Sequence, residues 1–477
     1  MHKTLLRAGC ALALAAPWVA HADTASDIAA LRKEIETLRS SYEERLQSLE
    51  QRLKAAEAAT SPNWGAPAAA TATAAAPTPA ASPEAAPAPN AANAASAATT
   101  AATGNGFNPS ISLILSGLYA RTSQDPARYA ITGFSLPPDA EIGPGNRGFS
   151  LAESELGFAA SIDPWWRGAA NISVHGDNTV SVEEAYVQTT ALGNGLSAKA
   201  GRFFSNVGYL NPQHSHTWDF VDNPLAYQAL LGTQYGDDGV QLTWLAPTDQ
   251  FIELGVELGR GRSYPGGDND RNGAGMVALT AHTGGDIGLS HSWRAGLSVL
   301  NAKANDQSVV GVDAAGAPVA SAFSGSTRVW VADAIWKWAP NGNATRTNFK
   351  LQAEYLHSTR SGDLVFDPAG ANTAGAYRAV QSGWYVQGVY QFMPRWRVGL
   401  RTERLDAGTP DYGANAGRYA LTDYAPNKTS LMLDFSASEF SRIRLQIARD
   451  RAREGVTDNQ LFLQYQMSLG AHGAHSY

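Results

Sequence analysis

Cysteine is nearly missing from this chain: Cys10 is the one such residue in 477. A disulfide framework is excluded by arithmetic. Charge is also sparse, at 17% of residues, against roughly 25% in ordinary soluble domains. With 36 basic and 43 acidic residues, there is no basic surplus to replace counterions on phosphates, which argues against a nucleic-acid partner. Past the amino terminus no apolar run reaches the roughly 18 residues of a membrane-spanning helix. A helical polytopic protein is thereby excluded, in keeping with a mean hydropathy of −0.23.

What is present changes character along the chain. Residues 1–22 pair a short basic start (Lys3, Arg7) with an apolar stretch from Ala8 to Val19 and end in Ala20-His21-Ala22. That pattern reads as a secretory signal peptide, and its removal takes Cys10 with it. A mature chain without thiols suits an oxidising compartment. In residues 23–58, Ile28, Leu31, Ile35, Leu38, Tyr42, Leu46, Leu49, Leu53 and Ala56 recur at spacings of 3 and 4. This is a heptad pattern with one stutter, and it predicts a self-associating periplasmic coiled coil. Residues 59–105 are almost wholly Ala, Pro, Thr, Ser and Asn, with Glu84 their one charge. Such a segment cannot offset the entropy of ordering and reads as a disordered linker.

From residue 106 to 477 the period becomes two. In Leu461-Phe462-Leu463-Gln464-Tyr465-Gln466-Met467-Ser468 the odd positions are apolar and the even ones mostly polar. Ser441-Arg442-Ile443-Arg444-Leu445-Gln446-Ile447 repeats the pattern. One apolar face without a second apolar layer predicts an all-β transmembrane barrel of about 16 antiparallel strands. Tight turns alternate with long connections at 122–148, 205–238, 261–273, 304–325, 361–380 and 407–427. Bacterial outer-membrane barrels show this asymmetry, with short periplasmic turns and long outer loops. Trp165, Trp166, Trp244, Trp336, Phe392, Trp396 and Phe440 lie near the short turns, where an interfacial girdle belongs.

If the apolar parity faces lipid, the other parity lines the pore. Arg395, Arg397, Arg401 and Glu403 share one strand, and Arg442, Arg444 and Gln446 another. Glu153, Glu155, Glu183, Glu253 and Glu257 come from earlier strands. Bases on late strands and acids on early ones imply a field across the lumen that tunes ion selectivity. The longest connection, 205–238, is the one expected to fold inward. It carries His214, His216 and Asp219, and alternate residues of an extended segment can ligate one zinc or copper ion. The tail adds His472 and His475. No spacing singles out a nucleophile with its base, and no glycine-rich nucleotide loop lies between a strand and a helix. An enzyme is not expected.

Several stretches carry a family resemblance. They are Ala200-Gly201-Arg202-Phe203-Phe204-Ser205-Asn206-Val207-Gly208-Tyr209-Leu210-Asn211, Trp218-Asp219-Phe220-Val221-Asp222, Trp336-Lys337-Trp338-Ala339-Pro340-Asn341-Gly342 and Gln391-Phe392-Met393-Pro394-Arg395-Trp396-Arg397. Together they resemble a proteobacterial family labelled zinc-regulated TonB-dependent outer membrane receptors. The resemblance implies a Gram-negative outer-membrane location and zinc as a solute. A TonB-dependent receptor has a plugged barrel of about 22 strands, whereas this chain offers a coiled coil, a linker and a shorter barrel. The organisation is that of a plugless, porin-like channel, passive or substrate-selective, for small hydrophilic solutes or ions. A TonB-linked zinc receptor and an envelope-anchoring structural protein are the alternatives. The expected partners are outer-membrane lipid, the barrel-assembly machinery, two further copies in a homotrimer, and peptidoglycan through the coiled coil. No resident cofactor is expected beyond zinc as a transported ion.

Overall fold

The computed structural model describes residues 109–267 and 272–470. The expected signal peptide, coiled coil, linker and tail histidines lie outside the described residues.

Alternation of side chains makes the described chain a continuous series of strands. β1 (Ser110–Thr122) is followed by two collinear segments, β2 (Gly148–Leu151) and β3 (Ser154–Ser161), both antiparallel to it. Next come β4 (Trp166–Val174), β5 (Val180–Thr189), β6 (Leu196–Phe204), β7 (Gly236–Leu245), β8 (Phe251–Gly259) and β9 (Met276–Ile287). Four long strands follow: β10 (His291–Val312), β11 (Pro318–Trp338), β12 (Asn348–Phe366) and β13 (Thr373–Met393). The last four are β14 (Trp396–Asp406), β15 (Asn427–Ser438), β16 (Ser441–Arg451) and β17 (Asp458–Gly470). Apart from the collinear β2 and β3, which both pair with β1 while β3 goes on to pair with β4, each pairs with its successor. β17 pairs with β1 from Ser112↔Gly470 to Thr122↔Gln460, so the sheet closes. Of the seventeen segments two share one stave, which leaves sixteen staves.

The parity is as expected. On β16, Ile443, Leu445 and Ile447 are exposed while Arg444 and Gln446 are buried. Leu431 and Leu433 on β15 and Leu463 and Tyr465 on β17 continue the exposed apolar band. Water would penalise such a band and a lipid interior removes the penalty. Accordingly Leu445→Arg should destabilise the vesicle-embedded barrel by about 2–4 kcal/mol, read as a shift in the urea unfolding midpoint. The conservative Leu445→Ile should leave it near wild type.

Strand boundaries differ from expectation in one region. Segments 304–325 and 361–380 are not loops: β10 and β11 continue to a turn at 313–317, and β12 and β13 to one at 367–372. These four strands have 22, 21, 19 and 21 residues. At about 3.4 Å per residue, even tilted they overrun an apolar belt of about 25 Å. Above the belt the outer face need not be apolar, so Ser308, Asp363 and Ala374 break the pattern that marks a strand.

Candidate functional site

Residues 205–235, here called the strap, connect β6 to β7 but do not stay at the rim. Phe204 pairs with Gly236, so the chain leaves and rejoins the wall at one place. Between those points it runs through the lumen, with Val207, Leu210, Trp218, Phe220 and Leu225 buried. A short helix, α1 (Leu225–Leu231), is buried along its whole length and stops at Gly232 in the left-handed conformation. Ile131, Phe134 and Leu136 of the 123–147 loop join the same apolar cluster as α1.

Wall carboxylates bind the strap's backbone at its entry. Glu257 accepts from Ser205 Oγ at 2.5 Å and from the Asn206 amide at 2.8 Å. Glu354 accepts from the amides of Tyr209 and Leu210, both at 3.1 Å, from Tyr227 Oη at 2.7 Å and from Tyr385 Oη at 2.5 Å. This convergence requires a glycine: Gly208 has φ +68, and a Cβ there would lie 2.5 Å from Glu354 Oε2. Glu403 accepts the Leu225 amide at 2.5 Å, placing a carboxylate where the helix leaves its first N–H groups unpaired.

The middle of the strap carries two acids to the basic wall. Asp219 pairs with Lys350 at 2.5 Å and Arg397 at 3.2 Å. Asp222 pairs with Lys428 at 2.6 Å and Arg401 at 2.7 Å, and accepts from Gln446 at 2.9 Å. Burial opposes ionisation of both acids, but Lys350 and Arg397 hold Asp219, and Lys428 and Arg401 hold Asp222, well below the usual carboxylate range. Arg442 donates to the His216 carbonyl at 2.8 Å and Arg444 to the Trp218 carbonyl at 2.6 Å.

The histidines face the opposite, acidic wall. His214 Nδ1 lies 3.1 Å from Glu183 and 3.2 Å from Glu155, and its Nε2 lies 3.0 Å from Glu184. His216 Nδ1 is 3.0 Å from Glu155, and Ser215 Oγ donates to Glu153. Burial would lower the His214 pKa, but Glu155, Glu183 and Glu184 outweigh it and raise the ring well above its ordinary value. Two adjacent residues of a regular strand point to opposite faces, yet Glu183 and Glu184 both reach His214. A bulge makes this possible: the β4–β5 register steps from Asn171↔Glu184 to Ile172↔Val182, leaving Glu183 as the extra residue.

Of the residues singled out in the sequence, Arg397, Arg401, Arg442, Arg444, Glu153, Glu155, Glu253 and Glu257 come together on the strap or beside it. Glu253 sits 3.3 Å from both Asn206 Nδ2 and His282 Nδ1. Arg395 does not join them. It occupies the two-residue turn between β13 and β14, exposed and with φ +73, because the tight reversal needs a left-handed residue there. Asp219 does not join His214 and His216 as a metal ligand, since its two cationic partners hold it to the basic wall. The expected field across an open lumen is also revised. The strap sets its imidazoles against the acids and its carboxylates against the bases, so it offsets part of the charge on each wall. Lys350, Glu354, Lys428, Asp434 and Glu184 were missed in the sequence. Lys350, Gln352 and Glu354 alternate in β12, a polar parity that could have been read there.

A closed sheet with an apolar band outside and paired charges inside is a membrane-spanning β-barrel, the class found in bacterial outer membranes. No family model matches the chain. A relative from Aquifex aeolicus (strain VF5), described as an uncharacterized protein, is 28% identical over 403 residues, covering 78% of this chain and 80% of its own length. Similar solved structures include the outer membrane channel DcaP of Acinetobacter baumannii, with 14% identity, TM-score 0.44 and coverage of 76% of this chain and 97% of that one. An anion-selective porin from Comamonas acidovorans has 10% identity and TM-score 0.45, with coverage of 76% and 99%. A loop-deletion variant of the outer membrane protein OmpT of Vibrio cholerae has 8% identity and TM-score 0.47, with coverage of 76% and 100%.

Proposed function

We propose that the protein is an outer-membrane channel for small hydrophilic solutes or ions, in which the strap narrows the lumen. One observation carries this reading: a segment of the barrel's own wall runs through the interior and is tied by charged side chains to both sides. A barrel serving only as an anchor has no need of buried ion pairs, whose desolvation must be repaid. The lumen's serine, histidine and carboxylate groups engage one another in holding the strap, which favours a channel over an enzyme. Zinc belongs among the candidate ions because His214 lies within reach of three carboxylates. The channel is further proposed to assemble as a homotrimer and to contact peptidoglycan through residues 23–58, with TonB coupling as the alternative.

Purified protein in planar bilayers should give stepwise currents, with steps small for a barrel of this strand number. A barrel that seals at every voltage in several salts would overturn the reading.

A further inference from the structure

We propose that Glu155, Glu183 and His214, with His216 flanking Glu155, form a site for one divalent transition-metal ion of the zinc class, clamping the strap to the acidic wall. The inference rests on the channel reading only in placing the strap within the lumen.

The first argument is spacing. Zinc bonds of about 2.0–2.1 Å in a tetrahedral shell put neighbouring ligand atoms roughly 3.3–3.4 Å apart. The contacts of Glu155 Oε2 with His216 Nδ1 and His214 Nδ1 measure 3.0 and 3.2 Å, and that of Glu183 Oε2 with His214 Nδ1 measures 3.1 Å. All three fall within a few tenths of an ångström of a tetrahedral edge. The donor atoms of Glu155, Glu183 and His214 lie within 4.8 Å of one another.

The second argument is direction. Glu155 is only 6% exposed, and its Oε2 lies 3.0 Å from His216 Nδ1 and 3.2 Å from His214 Nδ1 without the alignment of a hydrogen bond to either. A buried carboxylate oxygen so placed is costly unless something else uses its lone pair. The rings of His214 and His216 stack at 5.6 Å with 20° between their planes, and both present Nδ1 to that oxygen. His214 Nε2 meets Glu184 at 3.0 Å, the outer carboxylate that commonly orients a metal-bound imidazole. An imidazole among the donors, with a second beside them, favours a zinc-like ion over magnesium or calcium, which prefer all-oxygen sets.

An approach exists as well. Glu153 and Glu141 lie 3.9 and 3.8 Å from His175, in the link between β4 and β5, and Glu141 is exposed. Acidic groups thus lead from the connections at that end toward Glu155, and such a row concentrates cations.

The test uses the full chain in detergent, stripped with EDTA, in a His472→Ala/His475→Ala background that removes the tail histidines. Titration with zinc chloride against a chromogenic chelator should show one ion per chain. X-ray absorption should show a nitrogen and oxygen shell near 2.0 Å with imidazole scattering. Glu183→Gln and His214→Ala should each weaken binding at least about tenfold, while His357→Ala on the outer parity should not. Heat-modifiable migration in gels verifies that each variant is folded. Absence of stoichiometric zinc, or affinity unchanged in both site variants, overturns the site. Currents recorded in EDTA separate the two readings: current without zinc binding sinks the metal site alone, and zinc binding without current sinks the channel alone.

Discussion

Replacing residues 206–234 with a short Gly-Ser turn should raise single-channel conductance several-fold and abolish much of the selectivity. The excision is geometrically mild. Phe204 and Gly236 are hydrogen-bonded neighbours, and the Ser205 amide donates to the Tyr235 carbonyl at 3.0 Å, so a hairpin turn bridges the ends. Barrel closure lies entirely in the sheet and does not pass through the strap. The wall charges released, among them Arg401, Arg444, Glu257 and Glu354, would meet water instead of the strap, which removes most of the penalty for losing their partners. Unchanged conductance in a folded, inserted variant would show that the narrowest point lies elsewhere, with the 123–147 loop next in line.

The second large effect is expected at Asp222. Arg401 and Lys428 are 2% and 1% exposed in their side chains and share this carboxylate. Asp222→Asn leaves two buried cations with one anion fewer, and breaking a buried ion pair in this way costs about 3–5 kcal/mol. Glu403 at 3.1 Å from Arg401 and Asp450 at 3.3 Å from Lys428 keep the loss toward the lower end. The pH dependence follows from the direction of the shift. A carboxylate held below its unfolded value contributes stability that is fully present above about pH 4 and is lost as pH falls through the folded value. The difference in unfolding midpoint between wild type and Asp222→Asn should therefore be large at pH 7, persist at pH 5 and shrink in stronger acid. The same variant should shift reversal potentials toward anions, because the basic wall gains uncompensated charge. A midpoint difference independent of pH would show that Asp222 acts by packing alone.

Most of the barrel was legible because lipid enforces a strict rule on every stave: apolar out, polar in. β14 to β17 obey it along most of their length, with Leu405, Met432 and Phe462 turned inward as exceptions, and their boundaries follow from the alternation. The rule lapses where strands leave the bilayer, which is why the upper halves of β10 to β13 read as loops. It also lapses at Glu183, where a bulge shows only in the pairing of two strands. The interior site was half legible. Parity exposes which charges point inward, but partner choice depends on the strap's path, and a single chain of residues says nothing about which wall Asp219 reaches. His214 and His216 stood out by spacing, whereas their companions Glu155 and Glu183 come from staves distant in sequence.

The strap also has a mechanical consequence. A sixteen-stave barrel is a thin-walled tube, and such tubes ovalise easily under lateral pressure. Tied through His214 to β3 and β5 on one side and through Asp219 and Asp222 to β12, β14 and β15 on the other, the strap acts as a cross-brace along a diameter. Whatever loosens either end softens the cross-section as well as widening the passage, so bilayer tension and permeability are coupled through one short stretch of chain.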